Sequence, residues 1–392
     1  MLPALTLHDL SAYDVDPVRG FLPVRDPLER LPAPYEAWDE LARALPGLLV
    51  KQGFREAVAR LPLLDPAPLE GPELARAMLL LCMFANAYVW ESAPPAPRIP
   101  QALAVPLCRI AERLGRPPIV AHASLVLANW RRIDPEGPLD PENLDTLVTF
   151  VDIDDEKWFY LLTVGIEATG GAAIPIMIEA QAAAERGDIP GLTSRLEALA
   201  AAMHAVTDVL GRMYERCSPA AFYRQVRPWL TGWTEPGVVY EGVSETPHRL
   251  TGGSAAQSPL IQAFDAVLGV AHPSPASGPF LLEMRGYMRP VHRRFVERLE
   301  QGPSIAGLVG RRGAGALGEP EPGEEGRALR SAYNACIEEL DKFRKGHLEM
   351  AARYITMEAK GDPAAKGTGG TDFGAFLGAA RRETLSAKTP LE

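Results

Sequence analysis

The stretch CIEELDKFRKGHLEMAARY, residues 336–354, sets the reading of the chain. Cys336, Leu340, Phe343, His347, Met350 and Tyr354 recur at steps of four, three, four, three and four, which is one face of an α-helix. This places an imidazole on the buried face of the last long helix. The same periodicity governs most of what precedes it. Residues 189–217 carry Leu192, Leu196, Leu199, Met203, Val206 and Leu210 at alternating four- and three-residue steps. Residues 34–61 read as an amphipathic helix pair broken near Gly53, and 71–90 as a helix apolar nearly all round. Apolar runs at 119–130 and 157–168 read as buried helices too, and further helices are expected over 257–270, 280–299 and 328–357. Strand patterns are poor apart from 237–240.

Prolines cluster between these segments, at 94–100, 135–141 and 273–279, so they punctuate the helices without breaking them. Residues 134–143 read as a crossing between a small N-terminal helical domain, 1–140, and a larger one, 141–392. Two segments read as loops: 311–326, rich in Gly, Pro and Glu, and the Gly-rich 361–371. The GTGGT run in the second does not lie between a strand and a helix, so it is a poor phosphate cradle.

The 392 residues suffice for a large core, and 47% hydrophobic with 23% charged residues is ordinary for a globular protein. A net charge of -10, with no Lys/Arg run longer than two, argues against nucleic acid as a partner. The N-terminal residues lack a basic-then-apolar signal, and the longest apolar run, around 78–90, is interrupted by Asn86 and reads as too short to span a bilayer. Cys82, Cys108, Cys217 and Cys336 fit no zinc or CxxC spacing and read as free thiols in a reducing, cytoplasmic setting.

Seven histidines make metal or cofactor ligation the first chemistry to consider, yet no HExxH and no paired Glu-x-x-His motif occurs. Two readings of His347 stay open on spacing alone. It is a core histidine satisfied by one hydrogen bond, or an axial haem ligand whose second ring nitrogen meets another partner. His122 and Ser124 interrupt an apolar run, Thr163 lies within the run from Trp158, and Arg227 can share a helix face with Tyr223; each alone is more often structural.

The order of several motifs adds to this. Gly20-Phe-Leu-Pro, Ala87-Tyr-Val-Trp, Ile99-Pro-Gln-Ala-Leu-Ala-Val-Pro, Val126-Leu-Ala-Asn-Trp, Gly252-Gly-Ser-Ala-Ala-Gln-Ser, Met284-Arg-Gly-Tyr-Met-Arg-Pro-Val-His-Arg and Lys366-Gly-Thr-Gly-Gly-Thr-Asp follow one another along the chain. In this order the sequence, from about 21 to 385, resembles the indoleamine 2,3-dioxygenase family. The resemblance implies an all-α fold whose larger domain holds haem b, with His347 as proximal iron ligand and O2 as co-substrate. It places Thr163 where the family commonly carries a distal serine, and Phe159, Tyr160 and Phe222 against the indole ring. It gives Arg227 the substrate carboxylate and Thr368, in a lid loop, the substrate's amino-acid end. Ser254 and Ala255 form the turn beside the haem, and Asp265 and Arg344 support the haem region. The implied reaction inserts both atoms of O2 across the indole C2=C3 bond of L-tryptophan, giving N-formylkynurenine and entering kynurenine-pathway catabolism. A monomer or small homo-oligomer is expected.

The sequence departs from the family at three places. His122 stands where tyrosine is frequent, Leu125 where a small polar or thiol residue is usual, and Ala256 where the turn ends in Gly. His122 then either donates a hydrogen bond to oxygen or substrate, or fills the tyrosine's volume. These changes keep open a haem-dependent oxygenase for another indole or aromatic amino acid, and a non-catalytic haem-binding gas sensor.

Overall fold

A computed structural model describes residues 2–313, 323–359 and 372–390. The fold is all-α, as expected, with short strands at its margin. The N-terminal helices are α1 (Glu36–Val50), α2 (Phe54–Ala59), α3 (Gly71–Trp90) and α4 (Gln101–Leu114), followed by the single turn α5 (His122–Leu125). Next come α6 (Asp154–Gly171), α7 (Ala173–Arg186), α8 (Ile189–Gly211) and the short α9 (Met213–Arg216) and α10 (Pro219–Ala221). The chain closes with α11 (Pro259–Leu268), α12 (Gly278–Arg285), α13 (Pro290–Glu300), α14 (Ile305–Gly313), α15 (Glu324–Ala351) and α16 (Phe373–Ser386).

The most extensive helix contact is between α8 and α15. Leu192, Leu196, Leu199, Met203 and Val206 of α8 are buried, as are Leu329, Cys336, Ile337 and Leu340 of α15. Complementary apolar stripes thus bring the two longest helices together, and the Cys336 thiol donates to the Leu196 carbonyl at 3.1 Å. One apolar cluster runs through residues on both sides of position 140, from Leu5 to Ile355. Burial pushes the thiols of Cys82, Cys108, Cys217 and Cys336 up to about 12, so these free cysteines are unreactive near neutral pH.

Several sequence expectations are corrected. The apolar stretch 119–130 is a series of turns and bends around the single helical turn α5, because total burial leaves no periodicity to distinguish helix from coil. The long helix expected over 189–217 ends at Gly211. The helix expected over 280–299 is two, α12 and α13, separated where Pro290 begins the second. After Ala351, α15 passes into a wide turn of the i→i+5 type, Ala352–Thr356, and Phe222–Val226 forms another. The strand read at 237–240 belongs to β4 (Trp233–Tyr240), which pairs antiparallel with β5 (Ser244–Leu250) and parallel with β1 (Arg98–Ile99). β5 was illegible because an exposed edge strand needs no apolar alternation. A second pair joins β2 (Arg131–Arg132) to β3 (Leu144–Asp145). Finally, α3 and the α6–α7 stretch are long and apolar enough to cross a membrane by length and composition, contrary to the expectation for 78–90. In the fold their apolar windows are 72% and 67% buried by protein.

Polar ties fix the segments that reach the interior. Asn86 of α3 donates to the carbonyls of Trp229 and Thr231. Asn129 holds Val148 by a reciprocal pair at 2.9 Å. The Tyr240 hydroxyl accepts from Trp233 Nε1 and donates to Pro118 O, pinning the chain just before His122. At the end of α6, Gly171 lies against the N-terminal segment: a Cβ there would stand 2.4 Å from Val18 O and 2.7 Å from Gly20 N. Backbone on the facing side cannot yield as a flexible side chain would. Gly171→Ala is expected to destabilise the protein by about 1–3 kcal/mol, read as a lower denaturant midpoint at unchanged slope.

Candidate active site

Helices α6, α11 and α15, the α5 turn and the Ser254 turn enclose a cavity of about 1600 Å³ of atom-free space, its mouth included. Its wall is mostly apolar. α6 contributes Phe159, Tyr160, Thr163 and Glu167, and α15 contributes Phe343, Arg344, His347 and Met350. Both sets recur at three- and four-residue steps, so each helix presents one face to the cavity.

His347 lines this wall, and its ring makes no hydrogen bond or ion pair among the described residues. Burial, and then the nearby Arg344 cation, lower its pKa to about 4. The ring is therefore neutral near pH 7, with a lone pair to offer. Arg344, one turn earlier, donates to both Asp265 oxygens, at 2.8 and 2.6 Å. Burial alone would raise the Asp265 pKa, but Arg344 and His272 outweigh it and hold the carboxyl below its usual range. His272 bridges on to Glu383 of α16 at 2.7 Å, and Arg344 also donates to the Thr384 hydroxyl. Ion pairs thus lock α11, α15 and α16 around the base of the His347 turn.

The rest of the wall carries an aromatic cluster and a polar one. Phe159 and Phe222 stand 4.7 Å apart between centroids, and Phe222 meets Tyr354 edge-on at 5.7 Å. Tyr160 is fully buried, and its hydroxyl has no well-formed hydrogen bond among the described residues, although Glu156 lies near it. Thr163 donates its hydroxyl proton to Phe159 O at 2.8 Å, leaving oxygen lone pairs as its free capacity. In the polar cluster, His122 Nε2 meets Glu167 Oε1 at 2.8 Å, and the Ser258 hydroxyl donates to the same oxygen at 2.6 Å.

His122, Phe159, Tyr160, Thr163, Phe222, Ser254, Ala255, Asp265, Arg344 and His347 all line this one cavity. His122, read either as a donor to oxygen or substrate or as a filler of the tyrosine's volume, has its Nε2 engaged by Glu167. Ser254 accepts from Ala256 N and so caps its own turn. Arg227 is not on the described wall; its guanidinium lies over the Tyr223 ring, 5.2 Å from the centroid, next to Phe222. Thr368 and the whole of the segment 361–371, read as a Gly-rich loop, lie outside the described residues. Sequence reading missed Glu167, Ser258 and Gln257. Gln257 accepts from His122 N and donates to Gly252 O, joining the α5 turn to the Ser254 turn. Glu167 is four residues after Thr163, a spacing that could have revealed it.

A sequence model of the indoleamine 2,3-dioxygenase family matches residues 9–387. The chain belongs to that family. It is 36% identical to indoleamine 2,3-dioxygenase 1 of Rattus norvegicus over 96% of this chain and 95% of the relative. Identity is 37% with indoleamine 2,3-dioxygenase acdA of Aspergillus candidus, over 97% and 98% of the two chains. With indoleamine 2,3-dioxygenase of Saccharomyces cerevisiae it is 35%, over 89% and 80%. Indoleamine 2,3-dioxygenases are haem-dependent oxidoreductases that use O2, and this chain is such an enzyme, with a small-molecule indole substrate.

The cavity of this indoleamine 2,3-dioxygenase fits haem on its own terms. Among the described residues no group of three His, Cys, Asp or Glu could hold a bare metal ion. A lone neutral imidazole without a partner among the described residues suits an iron whose remaining protein-independent ligands would come from a porphyrin. His347→Ala is expected to lose stable haem while far-ultraviolet circular dichroism stays helical; retained haem would contradict ligation. Because the ring's pKa is depressed to about 4, protons compete with iron only below the usual imidazole range. A pH titration followed at the haem absorption band should show loss well below about pH 6.5, the unperturbed value.

Proposed function

We propose that the enzyme opens the pyrrole ring of L-tryptophan, both atoms of O2 entering across C2=C3 to give N-formylkynurenine. Haem held by His347 would supply the activation of O2; the chain supplies binding, orientation and exclusion of water. The observation that carries this reading is the meeting of His347, Thr163 and the Phe159–Phe222 pair on one apolar cavity. Phe159 and Phe222 offer faces and edges against which an indole ring is buried. Thr163, its proton given to Phe159 O, presents lone pairs that accept from a donor such as the indole N–H.

Arg227 follows Phe222 by five residues, and its guanidinium carbon lies 5.2 Å from the centroid of the Tyr223 ring. Such a guanidinium presents a planar fork to a carboxylate, and we assign it the carboxylate of the substrate. Thr368 in the Gly-rich loop is assigned the amino-acid end by position in the sequence alone. A second reading, another indole as preferred substrate, is favoured by one observation: a polar contact, His122 Nε2 to Glu167 Oε1 at 2.8 Å, is built into the wall. Four free, unreactive thiols support a reducing, cytoplasmic setting.

Reduced enzyme given L-tryptophan and O2 is expected to form a product absorbing in the near ultraviolet, with the mass of substrate plus two oxygen atoms. No turnover by intact ferrous haem enzyme would reject the reading. Arg227→Ala should weaken tryptophan binding by about 2–5 kcal/mol, as truncating one partner of a buried charge pair does. An unchanged dissociation constant would remove Arg227 from the carboxylate site.

A further inference from the structure

His272 stands in the loop from α11 to α12, followed by Pro273 and Pro275, which restrict the chain that carries it. Each of its ring nitrogens faces a carboxylate from a different helix. Nδ1 meets Glu383 Oε2 of α16 at 2.7 Å, and Nε2 stands 3.2 Å from Asp265 Oδ2 of α11. The second contact is an ion pair without hydrogen-bond alignment, and no other hydrogen-bond partner reaches Nε2 among the described residues. The side chains of His272 and Glu383 are 11% exposed, and those of Asp265 and its other partner, Arg344, are 7% exposed. Two carboxylates and two bases thus sit together with little access to water, and their charges balance only when the imidazole is cationic.

A neutral imidazole has one N–H and one lone pair. With its proton on Nδ1 it turns the lone pair toward Asp265, and with its proton on Nε2 it turns the lone pair toward Glu383. Either tautomer leaves a carboxylate facing a lone pair, whereas the imidazolium presents a proton to both. The charged groups that bear on the ring are Asp265 of α11, Arg344 of α15 and Glu383 of α16. Burial would lower its pKa, but the two carboxylates outweigh burial and the Arg344 cation, and hold it above the usual 6.5.

The helix that Glu383 belongs to is also a wall of the haem cavity. α16 contributes Phe376, Leu377 and Ala380 to that wall, and Glu383 follows Ala380 by about one helical turn. Glu383 also accepts from Ser274 N at 2.8 Å and from the Ser277 hydroxyl at 2.7 Å, and Arg381 donates to Asp341 at 2.7 Å. These further ties keep α16 folded on its neighbours when the imidazole loses a proton, so the consequence is a looser wall and not an unfolded protein.

We propose that His272 is a positioning residue, an imidazolium held between two carboxylates that clamps α16 onto the haem cavity, and that loss of one of its protons at alkaline pH loosens this wall and speeds haem release. The inference does not depend on which indole is oxidised. Because the folded-state pKa is raised above 6.5, the clamp is complete below that pH and is lost as pH rises through the folded value. This alkaline loss is separate from the acid loss expected at His347.

The test uses the full-length, haem-loaded enzyme. Its ferrous carbon monoxide form, made with ring-labelled histidine, gives the His272 titration by nuclear magnetic resonance, the signal being the one absent from His272→Gln. Haem release into excess apomyoglobin is followed over the same pH range. The ring should titrate above 6.5, and release should quicken on the order of ten-fold across that titration. In His272→Gln, which is uncharged throughout, release should already be fast at neutral pH and nearly independent of pH. Glu383→Gln keeps the shape of the contact but removes one carboxylate charge, so the ring titration and the quickening of release should move together to lower pH. If His272→Gln does not hold haem, the unaltered enzyme and Glu383→Gln decide the matter. A ring that titrates at or below 6.5, release that is indifferent to the ring's titration, or a quickening that stays at the same pH in Glu383→Gln overturns the proposal.

Discussion

An imidazole kept neutral and without a hydrogen bond is expensive to bury, and the pairing of α8 with α15 leaves His347 in that position among the described residues. The stripe that welds α15 into the core, Cys336 to Leu340, continues without a change of period into Phe343, His347 and Met350 on the cavity wall. The core therefore dictates where the ring stands. The ion pairs at the base of the same turn fix its surroundings: Arg344 is held by Asp265, which is also close to His272, and His272 reaches Glu383. Removing one partner of such a buried set leaves an uncompensated charge, so the network holds three helices in register beside the ring.

The remaining walls reach the cavity through irregular chain, and each is fastened by side chains rather than by a helix of its own. Gln257 links the α5 turn to the Ser254 turn, Tyr240 pins Pro118, and Asn86 ties down the carbonyls of Trp229 and Thr231 beyond Arg227. The two wide turns, Phe222–Val226 and Ala352–Thr356, deliver Phe222 and Tyr354 to the aromatic cluster of the cavity. Rigid helices thus set the depth of the site, and hydrogen-bonded loops set its chemistry, which is the usual division between scaffold and function.

Helices were legible in the sequence wherever burial is one-sided, because only then does the 3.6-residue period survive in the composition. α15 and α8 are of this kind. The run 119–130 is buried on all sides and carried no period, and β5 is exposed on its edge and carried no alternation. His347 stood out by its place in a stripe, but spacing could not tell a satisfied core histidine from a ligand; the family's motifs weighed toward the ligand. The pairing of His122 with Glu167 was illegible for a different reason, although the spacing from Thr163 puts Glu167 on the same helix face. Glu167 is 45 residues away in sequence, and a carboxylate inside an apolar helix is read as structural until the chain that faces it is placed.

The account turns on a bond between His347 and haem iron. Resonance Raman spectroscopy of the ferrous enzyme, made with heavy-nitrogen-labelled histidine, tests it most directly. An iron–nitrogen stretching band that moves with the label, and that is missing when His347 is replaced, is the expected result. A band that persists unchanged in the His347 variant, or an iron axial ligand insensitive to the label, would contradict it.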